Sequence, residues 1–536
     1  MTLLVGAPVL LPLLAGCLYA VLGWRPATAW LGAVAAAGSL AASIALAAVT
    51  AEGPRQALGG LLRADSLSAF MLIVIGAVSL LAMLASPAHL ATESAIGHAG
   101  PRAARRYGVF TQGFIAAMAL AVLAASLGVL WVAVEATTIL TAFLVGHRRT
   151  REATEAAWKY VVICSVGIAL ALLGVVLLHY AGLNTRAGLH AEAGVAAGAG
   201  LDWAVLAGNA AALDPGVTRM AVALLVLGFG AKAGLAPMNA WLPDAHGQAP
   251  APVSALMSGV LLSVAFYAIL RVKVISDAAL GVGFARTLLL VAALGSLAVA
   301  AALLIAQRDY KRMLAYSSIE HMGLLALGAA IGGRLALMAV LLHILGHGLA
   351  KSVLFLSAGH INLAAGSSRI AAVRGLARRA PLLAGAFGLG LAAVLGLPPF
   401  SLFASMIGIV RAGFGSGAGA AVGWATAIAL VPLLVVFAAV ARHAGRMLLG
   451  SPQAAEAAEV SEVPEVLGVP GVPGVPGVPE VPGVPEPGDR AGAVRLPRTA
   501  AVPLVAGLAA AAVLGVWTGP LRPLLETAAT IAGVTP

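Results

Sequence analysis

The sequence predicts an all-α, polytopic membrane protein of about fourteen transmembrane helices, on three observations. Of 536 residues, 61% are hydrophobic and 10% charged, and the mean hydropathy is +1.00. Soluble domains carry about 25% charged and 45–50% apolar residues, so a soluble globular protein is excluded. Apolar runs of about 20 residues, enough to cross a bilayer as a helix, recur along the chain. They are unbroken Ala, Leu, Val and Gly, whereas a β-barrel needs alternating segments of about ten residues, so a barrel is excluded too. Finally, two spans five helices apart are interrupted by proline, which predicts two five-helix repeats, each containing a broken helix.

The spans begin near Leu3, Thr28, Ser66, Gly108, Leu127, Trp158, Met220, Pro252, Thr287, Met313, Arg334, Pro381, Gly423 and Thr499. Leu3 to Gly23 has neither a basic leader nor a small-residue cleavage pattern, so it is expected to be a retained span. Gly108 to Gly146 would be about 58 Å long as one helix at 1.5 Å per residue, so two spans must turn near Ser126 to Gly128. The expected organisation is an N-terminal group of three spans over 1–107, repeats over 108–275 and 287–447, a linker over 451–497, and a last span with its tail over 499–536. The linker contains GVPGVPGVPGVPEVPGVPEP, an elastin-like run with proline at every third position and no helical period. It tethers the last span, Thr499 to Trp517, which is expected at the periphery.

The formal charge is +11 and the pI about 10.2. The basic residues lie between spans rather than on one patch, so no nucleic-acid partner is implied. Read as topology signals, they are about twice as dense on one side, which puts both termini on the outer side of the membrane. The strongest inner clusters are Arg102, Arg105 and Arg106; Arg148, Arg149, Arg151 and Lys159; Arg308, Lys311 and Arg312; and Arg369, Arg374, Arg378 and Arg379. Cys17 and Cys164 each stand alone, so thiolates can assemble neither an iron–sulfur cluster nor a structural zinc. The glycine-rich GFGSGAG at Gly413 follows no strand and is no dinucleotide fingerprint. No cofactor is expected, and no redox chemistry within this chain.

Four charges stand inside apolar spans: Glu135, Lys232, Glu320 and Lys351. Each costs about 2.5–3.5 kcal/mol at mid-membrane, so they must be paired, hydrated or both. A desolvated lysine whose proton affinity a movable carboxylate adjusts is what a proton path needs. Glu135 with Lys232 is the preferred pair; a structural ion pair joining two helices is the alternative. His343, His347 and Lys351 are spaced by four and so stack on one helical face, with His321 beside Glu320 on the neighbouring span and His360 beyond the column's end. Imidazoles suit a relay, although satisfied helix-to-helix hydrogen bonding would also explain them. A metal site is disfavoured, because the glutamate and third ligand of a metalloprotease motif are missing. Pro237 breaks the seventh span, and Pro398 with Pro399 the twelfth, where the freed carbonyls must face protein or water.

Around these residues run GFGAKAGLAPMNAWLPDAH from Gly228, PVSALMSGVLL from Pro252, RDYKRMLAYSSIEHMG from Arg308 and GLPPF from Gly396. The chain here resembles the proton-translocating, antiporter-like membrane subunits shared by respiratory complex I, Mrp-type antiporters and membrane-bound nickel–iron hydrogenases. The resemblance covers roughly Ser66 to Arg446, and YSSIEHMG looks most like the branch of hydrogenase-4 component F and formate hydrogenlyase. It implies a proton channel of two inverted five-helix units, with Glu135 and Lys232 as the ion pair and Lys351 as a central lysine. It also implies redox subunits as partners within an inner membrane, or Na⁺ and K⁺ as exchanged ions in an Mrp-like antiporter. Two positions depart from the pattern: Ser263 stands where many relatives carry a lysine, and Met406 where they carry a lysine or glutamate. The second departure puts the usual exit in doubt and keeps a vestigial scaffold among the alternatives.

Overall fold

The computed structural model describes residues 1–95, 97, 100–183, 199–415, 417, 419–450 and 498–533. The expected linker over 451–497 lies outside the described residues. Among the described residues thirteen helices are long and apolar enough to cross a membrane, and the remaining expected span, at Pro381, is divided into two shorter apolar helices. The chain is therefore a multi-pass, all-α membrane protein.

The N-terminal group comprises α1 (Thr2–Leu22), α2 (Leu31–Thr50) and α3 (Ser66–Ala95), with a small hairpin of β1 (Arg55–Ala57) and β2 (Leu62–Ala64) before α3. Next come α4 (Pro101–Leu123), α5 (Leu127–Val145) and α6 (Arg151–Leu183). The turn between α4 and α5 falls where the length argument requires it, and Ser126 caps α5 by accepting from the Gly128 N–H. α4 and α6 begin before Gly108 and Trp158, because hydropathy sees only the apolar core and their first turns are charged.

After the short α7 (Trp203–Gly208), α8 (Pro215–Ala233) opens on Pro215 with Asp214 accepting from the Val217 N–H. It stops at Gly234, whose φ of +77° is the left-handed cap that glycine provides. The chain passes Pro237 and resumes as α9 (Trp241–Gln248), then α10 (Ala251–Leu280), which holds a π-helical stretch over Met257–Leu261. Then follow α11 (Val282–Ile305), α12 (Tyr310–Ile331) and α13 (Gly333–Ala365). Beyond α14 (Leu376–Arg379), the twelfth span breaks into α15 (Pro381–Val394) and α16 (Ser401–Gly413), with Pro398 and Pro399 between them. α17 (Ala420–Leu449), α18 (Arg498–Val516) and α19 (Arg522–Ile531) complete the order.

Burial sorts these helices by role. The apolar cores of α10, α12 and α13 are 100% buried, whereas those of α11 and α17 are 39% and 33% buried and present Val291, Trp424 and Leu434 outward. Lipid solvates such leucines and valines as readily as protein does, so the outer helices need no covering. Glycines let the central helices touch: a Cβ on Gly348 of α13 would stand 2.9 Å from the Gly259 carbonyl oxygen of α10. That approach sets the polar face of α13 against its neighbours.

The last span is as exposed as α17, with 33% of its apolar core buried, in line with a peripheral helix, yet it docks at a defined place. α18 lies along α3, α13 and α16, and a Cβ on its Gly515 would fall 1.9 Å from the Pro399 carbonyl oxygen. The linker's composition describes only the tether; small residues on α18 decide where it docks.

Candidate functional site

Lys232 ends α8 just before the break and is fully buried. Its ammonium donates to Thr138 Oγ1 on α5 at 2.8 Å and to the Tyr160 hydroxyl on α6. Trp241, the first residue of α9, packs edge-on against Tyr160 and donates from Nε1 to the Ala231 carbonyl, so the far side of the break closes over the lysine. The break itself is fixed to the other half of the bundle, since the Ala236 N–H donates to Ser296 Oγ on α11 at 2.9 Å.

Glu135 makes no ion pair with Lys232. It lies one turn before Thr138 on α5, half-buried, with no hydrogen-bond partner for its Oε2. The expected direct contact is replaced by two hydroxyls, which can hold the lysine in either protonation state because each can donate or accept.

The second group spans α12, α13 and α16. Lys351 is fully buried and donates to the Leu314 carbonyl at 2.7 Å and to Ser317 Oγ. His347 and His343 follow one and two turns away, their rings nearly parallel with centroids 6.5 Å apart, as spacing by four requires. His321 on α12 sits between them: its Nδ1 meets His343 Nε2 at 3.0 Å and its ring centroid is 5.0 Å from that of His347. His343 Nδ1 reaches Ser405 Oγ at 3.0 Å, and Glu320 Oε2 lies 3.6 Å from His321 Nε2. Both nitrogens of His347 and Nε2 of His321 are buried without a hydrogen-bond partner among the described residues. Buried polar atoms in that state are where ordered water or a moving proton is accommodated. His360, at the end of α13, is half-buried and outside this group. Among the described residues no set of three or more His, Cys, Asp or Glu side chains is arranged to hold a metal ion.

His246, on α9 after the break, packs against α13, and the sequence alone does not single it out. It is fully buried, stacks on Phe355 of α13 with centroids 5.0 Å apart, and leaves both ring nitrogens without a partner. Its only signal was a titratable residue soon after a helix break. Ser263 is buried on α10 with its hydroxyl unpartnered. Met406 lines a cavity of about 510 Å³ together with Glu320 and Arg411, walled by Leu324, Leu433 and Phe437. The carboxyl group of that neighbourhood is therefore carried by α12.

At the end of the bundle bearing the basic clusters, a polar cleft of about 310 Å³ opens between α6, α9 and α12. Lys159 bridges Glu155 at 2.7 Å and Asp244 at 3.1 Å, and Arg312 reaches the same Asp244 at 3.3 Å. Such exposed pairs add little stability. They do connect α6 and α12 through the short helix of the break, next to Tyr160.

Comparison with known proteins agrees with this architecture. Residues 124–431 match the family described as NADH:quinone oxidoreductase/Mrp antiporter, TM. The chain is 37% identical over 357 residues to the hydrogenase-4 component F homolog of Methylacidiphilum infernorum, covering 66% of this chain and 73% of that one. Its fold is similar to a chain of the membrane-bound sulfane sulfur reductase, an archaeal respiratory membrane complex, with a TM-score of 0.78 and 22% identity over 98% of this chain and 96% of the other. It is also similar to a chain of the Mrp complex from Dietzia sp. DQ12-45-1b, with a TM-score of 0.75 and 23% identity over 99% and 97% of the two chains. Matched over more than half its length, with charged residues buried in its spans, the chain belongs to the NADH:quinone oxidoreductase/Mrp antiporter transmembrane family.

Proposed function

We propose that this chain is the proton-translocating membrane subunit of a multisubunit redox complex of the hydrogenase-4 or NADH:quinone oxidoreductase type, seated in the inner membrane with both termini outside. The observation that carries the reading is the series of buried titratable side chains: Lys232 on α8 and His246 on α9, then Lys351, His347, His321, His343 and Glu320 on the wholly buried α12 and α13. Lys232 and Lys351 load and release protons, Glu135 tunes Lys232 across the Thr138 turn, and Glu320 receives the proton at the Met406 cavity. Pro237, Pro398 and Pro399 interrupt the two spans beside these groups, in keeping with two repeats over 108–275 and 287–447. The basic clusters support the assigned orientation. Redox partners supply the energy, and their chemistry lies outside this chain.

The test is Lys232→Met on the chromosomal copy, with proton uptake followed in inverted membrane vesicles given NADH, H₂ or formate in turn. Uptake is expected to fall at least tenfold while the complex still assembles. Unchanged uptake in an assembled complex would reject the reading. A second reading, an Mrp-like Na⁺ or K⁺/H⁺ antiporter subunit, uses the same groups; cation exchange without any electron donor would favour it.

A further inference from the structure

Lys311 reads in the sequence as one of three basic anchors, with Arg308 and Arg312. The structure separates it from them. Arg312 and Arg308 are exposed, whereas Lys311 is 6% exposed and makes no hydrogen bond or ion pair with another described residue. An ammonium that gives up water without gaining a partner is costly, and a topology anchor has no need to do so.

Within electrostatic reach of it lies a second cluster of titratable groups, centred on Glu93. Glu93 of α3 is fully buried; its Oε1 accepts from Arg148 and lies 3.5 Å from His89 Nε2, while Oε2 has no partner. His89 Nε2 and His147 Nε2 are likewise buried and make no hydrogen bond to a described residue. Lys311 is near enough to interact electrostatically with Glu93, His89, Arg148 and Asp309, and His360 with His89. Unpartnered polar atoms gathered at one place mark a site that ordered water fills.

The cluster is also in line with the column described above. Leu314, whose carbonyl holds Lys351, is one turn beyond Lys311 on α12, and Ser317 and Glu320 follow on the next turns. At 1.5 Å per residue, Lys311 to Glu320 spans about 13 Å along one helix. We propose that Lys311, with His89 and Glu93, is the proton-loading site at the basic end of the bundle and hands its proton to Lys351. This rests on the proton-translocating reading above. In the loading step hydronium gives its proton to the neutral amine of Lys311 and leaves as water. Lys311 then releases that proton along Ser317 to the neutral amine of Lys351.

Lys311→Met and Lys311→Arg test it in the assembled complex, with Lys351→Met alongside and proton uptake measured in the same vesicles. Methionine matches the lysine stem, and replacing an unpaired buried charge by an apolar group of similar volume leaves assembly intact. Arginine keeps the charge but does not give up its proton. Uptake is expected to fall at least tenfold in both Lys311 variants. Normal uptake in Lys311→Met, or rescue by Lys311→Arg, overturns the proposal, because the amine would then be dispensable or a fixed charge. If Lys351→Met stops uptake and Lys311→Met does not, loading at Lys311 fails while the wider reading stands; if neither stops it, the wider reading fails. Should both Lys311 variants fail to assemble, Glu93→Gln decides: it keeps an acceptor for Arg148 but cannot cycle a proton, so lost uptake supports the site and full uptake overturns it.

Discussion

Asp65 and Arg271 show how this protein treats a buried charge that has a structural purpose. Arg271 is fully buried on α10 and donates to Asp65 at 2.7 Å, to Ser68 and to the Tyr267 hydroxyl, while its guanidinium lies 3.8 Å from the Trp203 ring centroid. Burial pushes the Asp65 carboxyl up, but the Arg271 charge and the hydrogen bonds from Arg271 and Ser68 outweigh it and hold it below the usual carboxylate range. Its stabilisation is therefore present above the ordinary aspartate value and lost as pH falls through the lowered one. Asp65→Asn should cost about 3–5 kcal/mol, because it leaves the guanidinium buried without its counter-charge. In melting curves at neutral pH the variant should lie several degrees below the parent, with the gap closing as acid protonates Asp65; equal curves at neutral pH would remove the pair from the stability argument. Among the described residues Lys232, Lys351 and Lys311 form no ion pair with a carboxylate, in keeping with the proton-carrying role proposed for them. The sequence named the charges but not their partners. Thr138, Tyr160 and Ser317 look like ordinary span residues until the helices are packed, and the Glu135 contact failed for the same reason.

At the scale of helices, periodicity and length located the spans, while close packing was not legible. The break at Pro398 and Pro399 could be read from proline chemistry, but the element that covers it lies more than a hundred residues later, beyond a low-complexity run. α18 meets that break at Gly515, where an added Cβ would run into the Pro399 carbonyl and the Phe400 backbone. At Gly507 of the same helix it would meet the Val353 and Leu81 side chains, which can turn aside. Overpacking costs about 1–3 kcal/mol, and more where backbone must yield. Gly515→Ala should therefore lower the melting temperature of the purified chain further than Gly507→Ala does. The reverse order would mean that α18 does not sit on the break. α19 completes this docking: Glu526 binds Arg334 at 2.9 Å, and Ala528 and Ala529 are buried. None of these contacts follows from hydropathy.

Across the whole molecule, titratable groups are concentrated in the helices that lipid cannot reach, and α12 runs past Lys311, Ser317 and Glu320 toward the Met406 cavity. A buried carboxylate on one wall and Arg411 on another are polar groups that leucine and phenylalanine cannot satisfy, so water must reach them for a proton to leave. Composition gives no hint of this space, because Met406 lines it with an uncharged side chain like those of its apolar neighbours. The cavity can be probed chemically, since Cys17 is exposed and Cys164 is buried among the described residues. In a Cys17→Ser background, Met406→Cys should react with a small, charged, water-soluble thiosulfonate added to the intact complex from the side opposite the basic clusters. Glu320→Gln should leave that reaction in place while lowering proton uptake at least tenfold, because access depends on the cavity and release on the carboxyl group. Reaction only with a lipid-soluble maleimide would show that the cavity belongs to the bilayer. The proton would then have to leave the column before Glu320, through His343 and Ser405 on α16.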